Sequence, residues 1–377
     1  MSKDKFLMDA IYGMISIDSR LFQIIDTPHF QRLRYIKQLG TSYLCFPTAT
    51  HTRFCHSIGT CYLSGEFYDR LAVNDLTLDL RPIDRLLVQT AGLLHDLGHG
   101  PFSHSFEHSI VPKLLGDDKW NHESQGLRLI DHLFDTEEVT LFDTSERKRL
   151  KQILTGEISA EYRWMHQMIS NSDYGLDVDR LDYLQRDANS VGLNSGFNFS
   201  VLSSHVKLID GRICFHRKRK PTLLQFFQSR YNLYNQIYNH SITKSIEFML
   251  VDAICDSESI LHIKEALEDH EKFLVLNDSI INIMDINGGP YTKKILNSIN
   301  RRQFYPLIYQ SESPPDIKLL QDSNNISCKI VDNYGFGDKN PLKFATFYGE
   351  EEYNNLLLPS KFEQIKYRVY SRNTDKG

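Results

Sequence analysis

Apolar residues recur through most of residues 15 to 260 at the three-to-four-residue spacing of a helix buried along one face. In the run His56–Leu71, the residues Ile58, Tyr62, Leu63, Phe67 and Leu71 keep that period. Leu86–Leu97 is apolar on nearly every side, which predicts a central helix covered all round. Asp26-Thr27-Pro28 reads as a helix start, with Thr27 or Asp26 capping and Pro28 in the first turn; Leu33, Ile36 and Leu39 continue the helical spacing. Phe226–Ile254 predicts one long helix with an aromatic and a basic side. Val206–Phe215 alternates instead and predicts a short hairpin turning at Asp210-Gly211.

Beyond residue 255 the pattern changes. Gly288-Gly289-Pro290, Ser313-Pro314-Pro315 and Gly335-Phe336-Gly337 interrupt it, and Ile326–Val331 and Phe344–Tyr348 read as strands. The expected fold class is mainly α. A helical catalytic core over residues 1–255 carries a short β-hairpin, and a smaller α+β lobe over 256–377 packs on it.

Composition narrows the class. The 377 residues are 41% hydrophobic and 24% charged, as in ordinary globular proteins, with no apolar run approaching a membrane span. Met1-Ser2-Lys3-Asp4-Lys5 leads into no secretory pattern, and six scattered cysteines form no Cys-x-x-Cys pair. An intracellular protein, nuclear or cytoplasmic and not secreted, is expected. The net charge of −5 gives no overall pull toward nucleic acid, so nucleic acid is a partner not favoured; the run His216-Arg217-Lys218-Arg219-Lys220 is the local exception. It reads as a solvated turn, a phosphate-binding patch or a nuclear-import run.

The chemistry concentrates in Leu94-His95-Asp96-Leu97-Gly98-His99-Gly100-Pro101-Phe102-Ser103-His104. His95, Asp96 and His99 share a face at the end of an apolar helix, and Gly98, Gly100 and Pro101 turn the chain so that His104 comes back toward them. Burying such a cluster without a shared task costs several kcal/mol. An imidazole beside a carboxylate suits a divalent transition metal, and His56 upstream and Asp179 downstream are the candidates that complete the set. Four ligands His56, His95, Asp96 and Asp179 leave positions open for water and substrate, the arrangement of a catalytic site. Iron, manganese and zinc all suit these ligands.

The ordered series around these residues resembles the HD phosphohydrolase superfamily. Within it, the chain is similar to the deoxynucleoside triphosphate triphosphohydrolases of the sterile-alpha-motif-and-HD-domain family. The resemblance rests on Ile25–Gly40, His51–Gly59, the His95–His104 loop, Trp120-Asn121-His122-Glu123, Asp177–Asp187, Asn333-Tyr334-Gly335 and Lys339-Asn340-Pro341. It covers nearly the whole chain, with no counterpart of the separate sterile-alpha-motif domain. It implies hydrolysis of a dNTP to deoxynucleoside and inorganic triphosphate, by attack of metal-bound water on the α-phosphorus, with Mg accompanying the triphosphate. Such an activity lowers dNTP pools. His104 matches the general acid, supported by His122 and Glu123, and Glu107 stands where the family has Asp. Arg53, His99, Arg180 and Arg230 match phosphate contacts, Arg180 replacing a Lys. Gln38, Leu39, Tyr183 and Asp187 match the residues around the sugar, with Gln38 and Asp187 on the 3′-hydroxyl, and Tyr238 and Asn239 match positions near the base.

The resemblance further implies a homo-oligomer, dimer or tetramer, with Lys5, Asp26, Gln31 and Arg34 forming a pocket for a GTP or dGTP activator. A second activator pocket departs from the family. Met8, Met14, Val201 and Ser241 stand where the family has Asn, His, Arg and Lys, so simplified or absent dNTP activation is expected. Two alternatives stay open: another HD-superfamily nucleotidase or phosphodiesterase, and a catalytically silent nucleotide or nucleic-acid sensor.

Overall fold

The computed structural model describes residues 4–76, 78–350 and 356–373. Two short strands, β1 (Lys5–Asp9) and β2 (Gly13–Ile17), form an antiparallel hairpin that the sequence pattern did not announce. The central pair of helices follows the pattern closely. Helix α1 (Arg53–Asn74) buries Ile58, Leu63, Phe67 and Leu71. Helix α2 (Pro82–Leu94) starts on Pro82 and a reciprocal Arg81–Asp84 cap, is buried along Leu86–Leu94, and stops just before His95. Thr60 Oγ1 donates to Gly92 O at 2.6 Å where the two helices touch.

Helix α3 (His122–Thr136) is capped by Asn121, whose side chain accepts from Ser124 N at 2.8 Å. Helix α4 (Val178–Ser190) is capped by Asp177, which accepts from Arg180 N at 2.9 Å. Strands β3 (Val206–Ile209) and β4 (Arg212–His216) make the expected hairpin, with Asp210 and Gly211 at φ of 50° and 70°. Helices α5 (Lys220–Leu233) and α6 (Ser241–Asp256) follow, and α7 (Pro290–Asn300) packs on α6. Strand β5 (Leu307–Ser311), β6 (Asn325–Asn333) and β8 (Glu363–Ser371) form a second sheet in the order β5-β8-β6, while β7 (Phe347–Tyr348) adds in parallel to β4.

Three expectations fail for identifiable reasons. Thr27 caps the helix start as read, but the helix gives way after Gln31 to a tight turn, Arg32–Tyr35, and Ile36 is extended. Residues beyond it pair with the strand-like approach to α1: Gln38 N donates to His51 O at 3.0 Å and Arg53 N to Ile36 O at 2.9 Å. The expected helix Phe226–Ile254 is broken by a π-helical turn, Tyr234–Tyr238, and restarts at Ser241. There Asn235 and Asn239 donate to Asp332 of β6, at 3.0 and 2.7 Å, in place of continuing the helix. In Phe344–Tyr348, only Phe347 and Tyr348 form a strand. One buried core extends from Ile15 to Tyr370 through all these elements.

Candidate active site

The site is best built outward from His56. It lies on the buried face of α1, its ring fully enclosed, and its Nδ1 donates to Asp182 Oδ2 at 2.8 Å. Asp182 comes from α4, which approaches α1 closely because residue 59 is glycine: a Cβ there would stand 2.1 Å from Asp182 Oδ1. Asp182 is held in turn by Arg186, at 2.8 and 2.9 Å, and by Tyr12 Oη at 2.8 Å, and Arg186 pairs with Asp9 at 2.9 Å. These groups tie the hairpin β1–β2 to the site. His95, just past the end of α2, donates from Nδ1 to Gly92 O at 2.8 Å.

Both imidazoles are therefore fixed by their Nδ1 atoms, and both point Nε2 into one space. The two Nε2 atoms are 3.2 Å apart, and Asp179 Oδ1 lies 3.1 Å from that of His56 and 3.5 Å from that of His95. Asp96 contributes Oδ2 at 3.4 Å from His56 Nε2 and Oδ1 at 3.5 Å from His95 Nε2. Ligand bonds of about 2.1 Å arranged tetrahedrally would put donor atoms about 3.4 Å apart, so the set fits a divalent metal. His56, His95 and Asp179 together are spaced to hold an ion. A carboxylate or carbonyl on the far ring nitrogen is the usual support for a ligating histidine.

The electrostatics agree. Burial works against a charge on His56, but Asp179, Asp182 and Asp96 push its pKa up to about 10. Burial likewise opposes the Asp179 charge, yet the two histidines hold that carboxyl far below its ordinary range. The site thus balances excess negative charge with protons in the place a cation fits.

A cavity of about 650 Å³ opens beside this cluster. Its wall includes Gln38, Leu39, Arg53, His95, Asp96, His99, His104, His122, Glu123, Asp179, Arg180, Tyr183, Asp187, Arg230, Tyr238 and Asn239. His56 and Glu107 sit behind the wall. Glu107 accepts from His122 Nδ1 at 2.6 Å, so the longer acid still reaches its partner. Burial raises the Glu107 pKa, but the His122 bond outweighs it and the carboxyl stays ionised below the usual range. His99 stacks on His122 with ring centroids 3.8 Å apart, and His104 meets both rings edge-on.

The residues matched to substrate contacts also have partners within the protein. Burial and then the Arg53 charge keep His99 neutral. His104 opens onto the cavity, and the enclosing walls and then the Arg53 charge lower its pKa below the ordinary 6.5. Arg53 is buried and paired with Asp96, while its Nε donates to Ser103 Oγ at 2.8 Å. Arg180 pairs with Asp177, and Arg230 donates to the Asn333 carbonyl and side chain, both at 2.7 Å. Tyr238 lines the cavity, and its hydroxyl donates to Asp187 Oδ2 at 2.6 Å, with His51 on the other oxygen at 2.7 Å.

Asp278, outside the motif series, and Arg32, inside it, hold the loop that carries His99 and His104. Phe102 and Ser103 sit consecutively at φ of 60° and 58°, a strained pair for side-chain-bearing residues. Buried Asp278 holds them there: its Oδ1 accepts from Phe102 N at 2.7 Å and its Oδ2 from Lys37 N at 2.9 Å. Arg32 donates to the carbonyls of Leu97, at 3.1 Å, and His99, and to Leu276 O at 3.1 Å. Sequence reasoning missed Asp278, Arg32, Asp182 and Arg186. Asp182 and Arg186 alone left a signal, by their spacing of three and seven from Asp179 on one helix.

Comparison with known proteins places this geometry. The HD domain model matches residues 53–187. A protein described as a deoxynucleoside triphosphate triphosphohydrolase SAMHD1 homolog, from Dictyostelium discoideum, is 32% identical over 99% of this chain and 78% of its own length. The chain belongs to the SAMHD1 family of HD-domain proteins. The Bos taurus SAMHD1, a deoxynucleoside triphosphate triphosphohydrolase, is 30% identical over 99% of this chain and 76% of its own length. An HD domain-containing protein of Acanthamoeba polyphaga mimivirus is 33% identical over 93% of this chain and 86% of its own.

Within the family frame, Lys5, Asp26, Gln31 and Arg34 lie away from the cavity. Gln31 Oε1 accepts from Arg34 Nε at 2.7 Å, the Arg34 guanidinium covers the Phe54 ring at 3.5 Å, and Lys5 stands 3.8 Å over Phe22. Met8 and Met14 face each other across the β1–β2 hairpin and are exposed. No helix among the described residues is long and apolar enough to cross a membrane.

Proposed function

We propose that this protein hydrolyses deoxynucleoside triphosphates to deoxynucleoside and inorganic triphosphate. The observation that carries the reading is the pair of imidazoles with fixed Nδ1 atoms and convergent Nε2 atoms, opening onto a cavity lined by the sugar and phosphate residues expected of the family. His56, His95, Asp96 and Asp179 hold a divalent ion, iron, manganese or zinc, and Mg enters with the triphosphate. When bound, that ion supplies Lewis acidity, lowering the pKa of water and offsetting phosphate charge.

The remaining steps belong to the side chains. Arg180 and Arg230 orient the β- and γ-phosphates and Arg53 the α-phosphate. Asp187 receives the 3′-hydroxyl and Gln38 Oε1, buried without a partner among the described residues, faces the sugar. The Tyr183 ring packs beneath the sugar and leaves no room for a 2′-hydroxyl. Water attacks the α-phosphorus, the bond to the 5′-oxygen breaks, and His104 delivers a proton to that oxygen. An imidazole lowered in the free protein by its enclosure and by Arg53 gains basicity as the polyanion arrives, so the proton donor forms in the complex. His122, anchored by Glu107 and beside Glu123, steadies that proton.

The catalytic unit of residues 1–255 is completed by side chains from 256–377, including Asp278. Lys5, Asp26, Gln31 and Arg34 form the activator site for GTP or dGTP in a homo-oligomer, while the methionines at 8 and 14 leave the second activator pocket without its polar contacts. The protein works in the nucleus or cytoplasm. Anion-exchange analysis after incubation with each dNTP, Mg²⁺ and either GTP or none tests the reading. Deoxynucleoside with intact triphosphate is expected, and turnover lost to a chelator. Release of dNDP or dNMP would overturn it.

A further inference from the structure

The cavity has a polar end that the proposed chemistry leaves unused. Beyond His104, the chain makes a π-helical turn, Phe106–Ile110, and Ser109 on it faces α6. Glu247 of α6 accepts from Ser109 Oγ at 3.0 Å on Oε1 and from Lys244 Nζ at 2.9 Å on Oε2. Burial opposes the Lys244 charge, but Glu247 outweighs it and keeps the ammonium protonated. One turn away, Thr243 Oγ1 is buried and has no hydrogen-bond partner among the described residues. All four residues line the cavity. A buried hydroxyl with nothing to bind, beside an ion pair with spare valences, is costly unless a ligand completes it.

The position indicates which part of a ligand arrives there. This inference rests on the reading above, in which His104 protonates the departing 5′-oxygen. The metal cluster takes the phosphorus, so the nucleoside leaves on the His104 side, and Ser109 lies five residues further along the same segment. On that reading the base would lie toward Glu247 and Lys244, past Tyr238 and Asn239 in the same cavity.

We infer that Glu247 and Lys244, with Ser109 and Thr243, read the edge of the base and make dGTP the preferred substrate. Each Glu247 oxygen retains a free lone pair after its present bond, and Lys244 retains two N–H groups. Guanine offers two parallel donors, N1–H and the 2-amino group, to such a carboxylate, and its O6 lies next to them for the ammonium. Adenine and cytosine place a ring-nitrogen lone pair where the carboxylate needs a donor. Thymine has a single N–H flanked by carbonyl oxygens, one of which would face the carboxylate.

The test compares kcat/KM for dGTP, dITP, dATP, dCTP and dTTP on the full chain, with titration calorimetry of dGTP and dATP in chelator as a reading without turnover. The expected order is dGTP, then dITP, which lacks the 2-amino donor, then dATP, with dGTP ahead of dATP at least about tenfold. Glu247→Gln and Lys244→Met each lower the dGTP-to-dATP ratio toward one, and Glu247→Asp restores part of it. Rates for all dNTPs within a factor of about two, or variants that slow every substrate equally, would overturn the assignment while leaving the hydrolase reading intact. Selective binding of dGTP without any turnover, lost in Glu247→Gln and kept in Arg34→Ala at the activator pocket, would do the reverse, supporting the subsite and removing the reaction; selectivity lost only in Arg34→Ala would overturn the subsite.

Discussion

The two ends of the cavity are built on different principles. At the metal end every donor stands on a helix or at its terminus, and each imidazole is locked from behind, by Asp182 or by the Gly92 carbonyl. At the nucleoside end the residues come from an extended segment, π-helical turns and α6, and their supports come from far along the chain: Asp332 on Asn239 and Asp278 on the Phe102–Ser103 turn. The metal end concentrates charge and needs rigid ligands. The nucleoside end needs groups left free to bind, and Thr243 and Gln38 are found there with polar atoms unsatisfied. Ligand affinity and substrate choice should therefore respond to different mutations.

The largest separation is expected at His104. His104→Ala should lower kcat by about 10²–10⁴-fold, the usual worth of a general acid, while metal content by mass spectrometry stays stoichiometric. Loss of the metal in that variant would erase the division between the two ends. Next comes Asp182→Asn, which removes the acceptor behind His56 Nδ1. Metal affinity, read by competition with a chromogenic chelator, should fall about 10–100-fold. An unchanged affinity would mean that the His56 ring needs no support from behind.

Asp278→Asn sharpens the other side. The amide keeps one acceptor but places an NH₂ group against a backbone N–H, so stability should fall by about 1–3 kcal/mol in urea. Because the Phe102–Ser103 turn and Lys37 both shift, kcat should fall by up to about 10²-fold with metal affinity retained. A stability loss without a kcat change would reduce Asp278 to a structural strut.

His29 provides a control at neither end. Burial, with the neighbouring His132, holds its pKa down to about 4, and its Nε2 lies 2.8 Å from His132 Nδ1. The unfolded imidazole takes a proton near 6.5 that the folded one refuses, so stability declines as pH falls from 6.5 toward 4. The total is at most about 3 kcal/mol, and denaturant titrations of His29→Gln at pH 7 and pH 5 should show that slope flattened.

The legibility of the molecule follows the same division. Helix α1, the body of α2 and the β3–β4 hairpin were readable because local periodicity and Gly or Pro punctuation decide them, although α2 stops at Leu94 and His95–Gly98 form a turn in place of the expected helix to Leu97. His95 and Asp96 stand together in sequence and mark the cluster locally, whereas His56 and Asp179 join them only through the packing of α1 and α4. The break in the helix after Leu233 was not, since Asn239 leaves the helix to reach Asp332, ninety-three residues later. The Tyr238–Asp187 bond was hidden for a similar reason: nothing near Tyr238 in sequence shows that Asp187 is its partner. Asp278 and Glu247 look like ordinary charges on surface helices until the fold buries them.

The dependence of Arg230 and Asn239 on β6 has a consequence for the order in which this protein matures. Strand β6 pairs along its length with β8, from Asn325 opposite Ser371 to Asn333 opposite Glu363. During synthesis the four ligand residues have all emerged with Asp179, whereas Asp332 and Asn333 are not secured until β8 follows, nearly two hundred residues later. A chain clipped before β8 keeps every ligand residue and loses what steadies Arg230 and Asn239.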